Sequence, residues 1–357
     1  MEIEKLYAEA LGLLTMMIAC PSHSREESVL ADKLCKYLQE RGQYPERVGN
    51  NLWLQSPDLD PLKPTYLLNS HIDTVRPVSA WTMDPYCPQI EGGKLFGLGS
   101  NDAGASLVCL LAAFNYLSQQ ERTYNLIFLA SCEEEISGAG GLSLVLPLLP
   151  PISLAIVGEP TGMCPAVAEK GLMVLDCLLR GVAGHAAREE GQNAIYKAVD
   201  SINWFKNYRF PLQSPWLGSV KMSVTMIQAG TQHNVVPDEC RFVVDVRTNE
   251  LYSNEEIFEQ ISNLCGCDDV RARSFRLNSS SIDSSHPMVL AAKVLGKMPF
   301  GSPTLSDQTL MPFPSIKIGV GLSERSHTAN EFVFIDEIRE GIELYIKLIK
   351  DSVDSHH

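Results

Sequence analysis

The chain has no apolar run approaching the roughly 18 residues needed to cross a bilayer. Its opening, MEIEKLYAEALGLLTMMIA, lacks the basic start and small-residue cleavage site of a secretory leader. That opening reads as a first helix, and no membrane partner is expected. Positive charge is also short, with 29 Lys and Arg against 43 Asp and Glu and a formal net charge of −14. Nucleic acid and anionic lipid both select a basic face, so the expected partner is a small molecule instead. A disulfide rhythm is missing as well, and a reducing cytoplasm is the expected setting. The 10 cysteines are scattered, and Cys265-Gly-Cys267 has one intervening residue where a zinc knuckle wants two. Cys20, Cys35, Cys109 and Cys177 lie in apolar periodic segments and read as small buried hydrophobes. There is no Gly-x-Ser-x-Gly elbow, no His-Glu-x-x-His helix and no phosphate-binding Gly-x4-Gly-Lys loop, and GLGSND lacks the third glycine of a dinucleotide fingerprint. These absences argue against a serine hydrolase or a nucleotide enzyme.

What is present is organised by strand and helix periodicity. At 357 residues the chain exceeds one ordinary domain of roughly 100 to 200 residues, so two domains are expected. Ser24-x-x-Glu27 reads as a capping box opening a helix to about Gln39. TYLLNS, a helical pattern from about Ala105 to Ser118, YNLIFLAS and SLAIVGEP then alternate as βαβ units. That alternation predicts a largely parallel sheet whose ligand lies beyond the carboxyl ends of its strands. From about Val167 the texture changes to long alternating segments such as ECRFVVDVRTN, with helical patterns near 192 to 207 and 253 to 264. The expected architecture is an α/β domain over 1–165 and 284–357, interrupted by an antiparallel α+β domain over 166–283. The terminal His356-His357 is assigned no function.

Five stretches concentrate metal-ligating side chains at strand exits: NSHIDT, GLGSNDAG, ASCEEEISG, VGEPTG and SERSHTANE. His71 and Asp73 share a face because residues two apart on a strand point the same way. From the five stretches come His71, Asp102, Glu134, Glu159 and His327, two imidazoles and three carboxylates. Such a set suits two divalent ions with one carboxylate bridging. Each residue also has a plainer reading: Asp102 as a helix cap, Glu159 before Pro160 as a turn residue, and Glu133-Glu134-Glu135 as a solvated corner.

In this order the five stretches resemble the co-catalytic zinc aminoacylase and carboxypeptidase family, in its acetylornithine deacetylase-like branch, over nearly the whole chain. The resemblance implies a zinc-peptidase-like catalytic domain with an inserted dimerisation domain, and a homodimer. It implies two divalent ions, Zn2+ first and Co2+ or Mn2+ also admissible. His71 and Glu159 would hold one ion, Glu134 and His327 the other, with Asp102 bridging and Asp73 orienting His71. Glu133 would be the general base, although three consecutive glutamates allow a register shifted by one, with Glu134 as base and Glu135 as ligand. The chain departs from the family pattern in reading Ala-Gly-Ala after Asp102 and in placing Cys132 where an aspartate is common. In the inserted domain, His185 corresponds to a histidine that stabilises the oxyanion in the partner subunit's site. Asn234 and Arg247 correspond to substrate-binding residues, and Lys170 is a further candidate. The implied reaction removes an N-acyl group, acetyl first, from an amino acid such as N-acetylornithine or N-acetylcitrulline in arginine biosynthesis. A dipeptidase or carboxypeptidase, and a non-catalytic metal-binding homologue, are the alternatives.

Overall fold

A computed structural model describes residues 3–188 and 190–354; His356 and His357 lie outside the described residues. The chain divides into two compact units, one of Met1–Val167, Ile282–Phe300 and Ser306–His357, the other of Ala168–Ser281 and Gly301–Leu305. The second unit therefore takes back a short segment, Gly301–Leu305, after the chain has already returned to the first.

The first unit is built on a sheet in which strands Glu46–Val48, Asn51–Gln55, Asn125–Ser131, Thr65–His71, Leu154–Val157 and Ser315–Lys317 lie side by side in that order. The pairings among the last four are parallel, and those at the Glu46–Val48 end are antiparallel. Thr65–His71 and Asn125–Ser131 are buried at every position, which explains their near-continuous apolar sequence. Their side chains still alternate between two cores. Leu68, Leu126, Phe128 and Ile156 pack in the larger cluster, while Leu67, Ile127, Leu129 and Ala155 pack in the smaller one with Leu142 and Val145. Helix Ala105–Leu117 carries almost no amphipathic signal because eleven of its residues are buried. Its outer neighbours, helices Ile3–Ile18 and Ile335–Asp354, face it with apolar stripes that include Leu13, Leu14, Ile342 and Tyr345.

The second unit has a four-stranded antiparallel sheet in the order Lys221–Ala229, Glu239–Thr248, Gly171–Arg180, Asp269–Ala272. Strand Glu239–Thr248 alternates strictly: Cys240, Phe242, Val244 and Val246 enter a core with residues of helices Ala194–Asn207 and Asn254–Leu264. One face is thus covered by helices, as period-two patterning demands.

The expected capping box at Ser24–Glu27 is not one. The helix spans Ser28–Gln39, the Ser24 hydroxyl donates to Asp73 Oδ2 at 2.7 Å, and the Glu27 carboxylate accepts from the N–H groups of Arg25 and Glu133. Both side chains are committed to the strand exits described below. A capping box does exist in the second unit, where Ser253 and Glu256 open helix Asn254–Leu264.

Candidate metal centre

Parallel pairing sets the level of the site. His71 is in register with Ser131, so the chain leaves both strands side by side, carrying Asp73 on one exit and Glu133-Glu134-Glu135 on the other. Strand Leu154–Val157 lies on the other side of Thr65–His71, and its exit carries Glu159. Asp102 precedes helix Ala105–Leu117 with extended dihedrals, φ −119° and ψ 98°, and makes no cap to that helix. Its carboxylate instead spans two histidines: Oδ1 lies 3.3 Å from His71 Nε2 and Oδ2 lies 3.5 Å from His327 Nε2. Glu159 Oε1 is 3.6 Å and Glu134 Oε2 is 4.0 Å from His71 Nε2. Glu135 meets the other imidazole, with Oε2 3.0 Å from His327 Nε2. Two overlapping groups, His71 with Glu134 and Glu159, and His71 with Asp102 and Glu135, keep their ligand atoms within 4.8 Å of one another.

Glu133 stands apart. Its backbone is left-handed at φ 54°, and its carboxylate accepts the Gly140 N–H at 3.2 Å, cradled where a Cβ at Gly138 or Gly140 would overlap it. Glu134 begins a short helical turn rather than continuing an extended exit. Glu133 and Glu134 therefore do not leave an extended chain on opposite sides. The left-handed Glu133 folds back on its own loop, and the turn delivers Glu134 and Glu135 together. Glu134 is thereby grouped with His71 and Glu159, and Glu135 with His71 and Asp102.

Asp73 holds this arrangement from beneath. The His71 Nδ1–H donates to the Asp73 carbonyl at 2.8 Å, which leaves Nε2 facing Asp102. The Asp73 carboxylate accepts the Glu134 N–H at 2.9 Å and the Glu135 N–H at 3.1 Å, so it fixes the glutamate turn as well as lying 3.6 Å from His71 Nδ1. Three buried carboxylates that the sequence reading did not select do similar work. Glu27 accepts the Glu133 N–H; Asp307 accepts from Asn69 Nδ2 at 2.9 Å and Ser131 Oγ at 2.7 Å; Glu331 accepts from the Asp102 loop. Glu331 lies within the quoted stretch SERSHTANE, but no spacing rule distinguishes a carboxylate that grips a loop from one that faces solvent.

The electrostatics describe a cluster short of positive charge. Burial pushes the Glu159 carboxyl up to about 8, with the Asp102 and Glu135 charges adding to it against His71 and Lys317. Burial and the Glu159 charge raise Glu134 well above the ordinary carboxylate range. Burial alone would lower His71, but hydrogen bonds to Asp102 and Asp73 raise it well above its usual value, and the Glu135 hydrogen bond lifts His327 to about 9. Glu159 Oε1 is buried with no hydrogen-bond partner among the described residues. An orphaned carboxylate oxygen beside the His71 imidazole and further carboxylates fits the ligand chemistry of divalent metal ions.

The remaining candidates belong to the second unit. His185 is exposed, accepts the Ala187 N–H at Nδ1, and pairs through its backbone with Val235, next to the exposed Asn234. The Asn234 carbonyl accepts the Ala186 N–H at 3.0 Å. Arg247 forks onto Asp245 at 2.9 and 3.1 Å, and Lys170 donates to the Ser219 carbonyl at 3.2 Å. Burial, with Lys221 and Arg247 nearby, lowers the Lys170 ammonium.

Known proteins share this plan. The family model described as peptidase family M20/M25/M40 matches residues 67–351. Acetylornithine deacetylase of Proteus mirabilis is 27% identical over 301 residues, covering 77% of this chain and 76% of the relative. Succinyl-diaminopimelate desuccinylase of Buchnera aphidicola is 25% identical over 277 residues, covering 72% and 73%. Among solved structures, aminopeptidase PepT of Bacillus cereus superposes with a TM-score of 0.77 at 20% identity over 97% of this chain and 99% of that one, a likeness of fold. Among the described residues no helix is long and apolar enough to cross a membrane. The match over most of the length, together with strand exits that converge on His71, Asp102 and His327, establishes that the chain belongs to peptidase family M20/M25/M40 and is a hydrolase.

Proposed function

We propose that the chain is a two-metal amidohydrolase of the cytoplasm that removes an N-acyl group, acetyl first, from an amino acid such as N-acetylornithine or N-acetylcitrulline in arginine biosynthesis. The observation that carries this reading is the Asp102 carboxylate, one oxygen toward His71 and the other toward His327. A carboxylate so placed suits a bridge between two ions, one held by His71 and Glu159, the other by Glu135 and His327. Zinc is the proposed metal, with cobalt or manganese admissible for the same ligands. When bound, the ions supply Lewis acidity to the amide carbonyl and acidify an attacking water.

The protein's own groups do the rest. Glu134, the carboxylate farthest from His71 Nε2 in its group, is left as the base that takes the water's proton and returns it to the departing amine. Asp73 keeps Glu134 in place through its N–H and keeps the His71 ring oriented. His185 is proposed as an oxyanion donor reaching a partner subunit's site, and Asn234, Arg247 and Lys170 as recognition groups for the substrate's polar atoms. Homodimerisation is supported by strand Lys221–Ala229, an edge strand that exposes Met226 and Ile227. The similarity to acetylornithine deacetylase favours the acetyl group, and the nearly equal similarity to the desuccinylase makes a succinylated diamino acid of lysine biosynthesis the second reading.

Amine release from N-acetylornithine, N-acetylcitrulline, N-succinylornithine, N-succinyl-diaminopimelate and a dipeptide, with zinc and after chelation, tests this. The expected result is chelator-sensitive release from an acetylated amino acid. Turnover of the dipeptide alone would move the chain to the peptidases, and no turnover of any of the five would overturn the reading.

A further inference from the structure

Glu331 lies four residues beyond His327 and is 2% exposed. Its Oε1 accepts the N–H groups of Asn101 at 2.8 Å and Asp102 at 2.9 Å, and its Oε2 accepts that of Gly99 at 3.1 Å. The main chain joins in, since the Gly97 N–H donates to the Glu331 carbonyl at 3.0 Å. Traffic runs the other way as well. The Asn101 side chain donates to the Leu322 carbonyl at 3.1 Å and to Ser326 Oγ at 3.2 Å, and accepts the Leu322 N–H at 3.0 Å. The neighbouring Asn330, left-handed at φ 56°, accepts the Thr82 N–H at 3.1 Å. The loop bearing Asp102 and the loop bearing His327 are thus laced together at Glu331.

Stability alone does not explain a carboxylate here. A buried carboxyl is costly to ionise unless it is paired with a cation, and this one lies beside the Asp102 carboxylate. Geometry does explain it. Two N–H groups on one oxygen fix the peptide planes on either side of Asn101, and the third holds the start of the segment. The direction in which the Asp102 side chain leaves the backbone is then set. A carboxylate that must face two imidazoles 3.3 and 3.5 Å away tolerates little rotation.

We propose that Glu331 is a positioning residue for the metal centre, holding Asp102 so that its two oxygens serve two ions; this rests on the metal-centre reading above.

The test uses the full chain, stripped with a chelator and titrated with Co2+, as wild type and as Glu331→Gln. The variant keeps an oxygen for Asn101 and Asp102 but turns an NH2 toward the Gly99 N–H. The expected result is Co2+ binding weakened roughly 10- to 100-fold, the range seen when partners of metal ligands are removed. A changed d–d absorption spectrum and a lower kcat at saturating metal, with KM unchanged, should accompany it. A merely structural role would lower the thermal midpoint of the metal-free protein and leave affinity and spectrum at wild-type values; that result overturns the proposal. If the Gln variant does not fold, Glu331→Asp, which keeps the charge and withdraws the oxygens by one methylene, carries the same comparison. Wild-type protein that takes up no ion would overturn the metal-centre reading and this inference with it. A wild type that binds two ions and a variant equal to it would overturn this inference alone.

Discussion

The two units hold their polar residues in different ways. In the first, the candidate side chains other than the exposed His327 are buried or half-buried, and several are gripped by others: His71 by the Asp73 carbonyl, the Glu134 and Glu135 backbone by the Asp73 carboxylate, the Asp102 backbone by Glu331. In the second, His185 and Asn234 are exposed, and Arg247 is satisfied by Asp245, two residues away on its own strand. The contrast separates groups whose geometry is set before any ligand arrives from groups that must find or exchange a partner when it does. Catalytic charge requires the first kind of support, because a preorganised low-dielectric site cannot spend energy reorganising during the reaction.

Breaking the first unit should therefore have the larger effect. Glu134→Gln should reduce kcat by roughly 10²- to 10⁴-fold, the usual span for a lost general base, with metal still bound. Glu133→Gln should leave kcat within about tenfold of wild type and instead destabilise the 133–140 loop, by about 1 kcal/mol for a weakened hydrogen bond. Steady-state kinetics and urea melts on the two variants decide the register; the opposite pattern would restore Glu133 as the base.

The pH dependence of the metal-free protein sharpens the same point. Glu159 and Glu331 are both raised to about 8 in the fold from an ordinary 4.5, so the folded chain holds protons that the unfolded chain releases. Stability must then fall as pH rises from about 4.5 to about 8. Zinc should flatten that slope by supplying the positive charge the cluster lacks. Urea denaturation at several pH values, with and without zinc, measures it, and metal-free stability that rises over this interval would contradict the electrostatic account.

The smallest effect is expected in the second unit. Arg247→Lys removes a planar fork while keeping the charge, and should raise KM by about tenfold with kcat unchanged. A fall in kcat with KM unchanged would place Arg247 among the preorganised groups and erase the distinction between the units.

Much of the site was legible in the sequence because parallel strands deliver their exits to one rim. His71, Asp102, Glu159 and His327 could be picked out as polar punctuation after apolar runs, and the structure brings them together. The turn that presents Glu134 and Glu135 together was not legible, since it depends on a left-handed Glu133 that two glycines, Gly138 and Gly140, make room for. Ser24 and Glu27 matched a local helix motif, yet their partners, Asp73 and the Glu133 backbone, lie 49 and 106 residues away. Glu331 and Asp307 are invisible for the same reason. Their roles arise from hydrogen bonds that span 229 to 232 and 176 to 238 residues, respectively, and no local pattern encodes those.

Asp102 is proposed to join two ions into one catalytic centre. Counting zinc per chain by elemental analysis, in wild type and in Asp102→Ala, tests it most directly. Two ions per wild-type chain and fewer than two in the variant are predicted; a wild type with no more than one ion, or a variant that keeps both at full affinity, would contradict it.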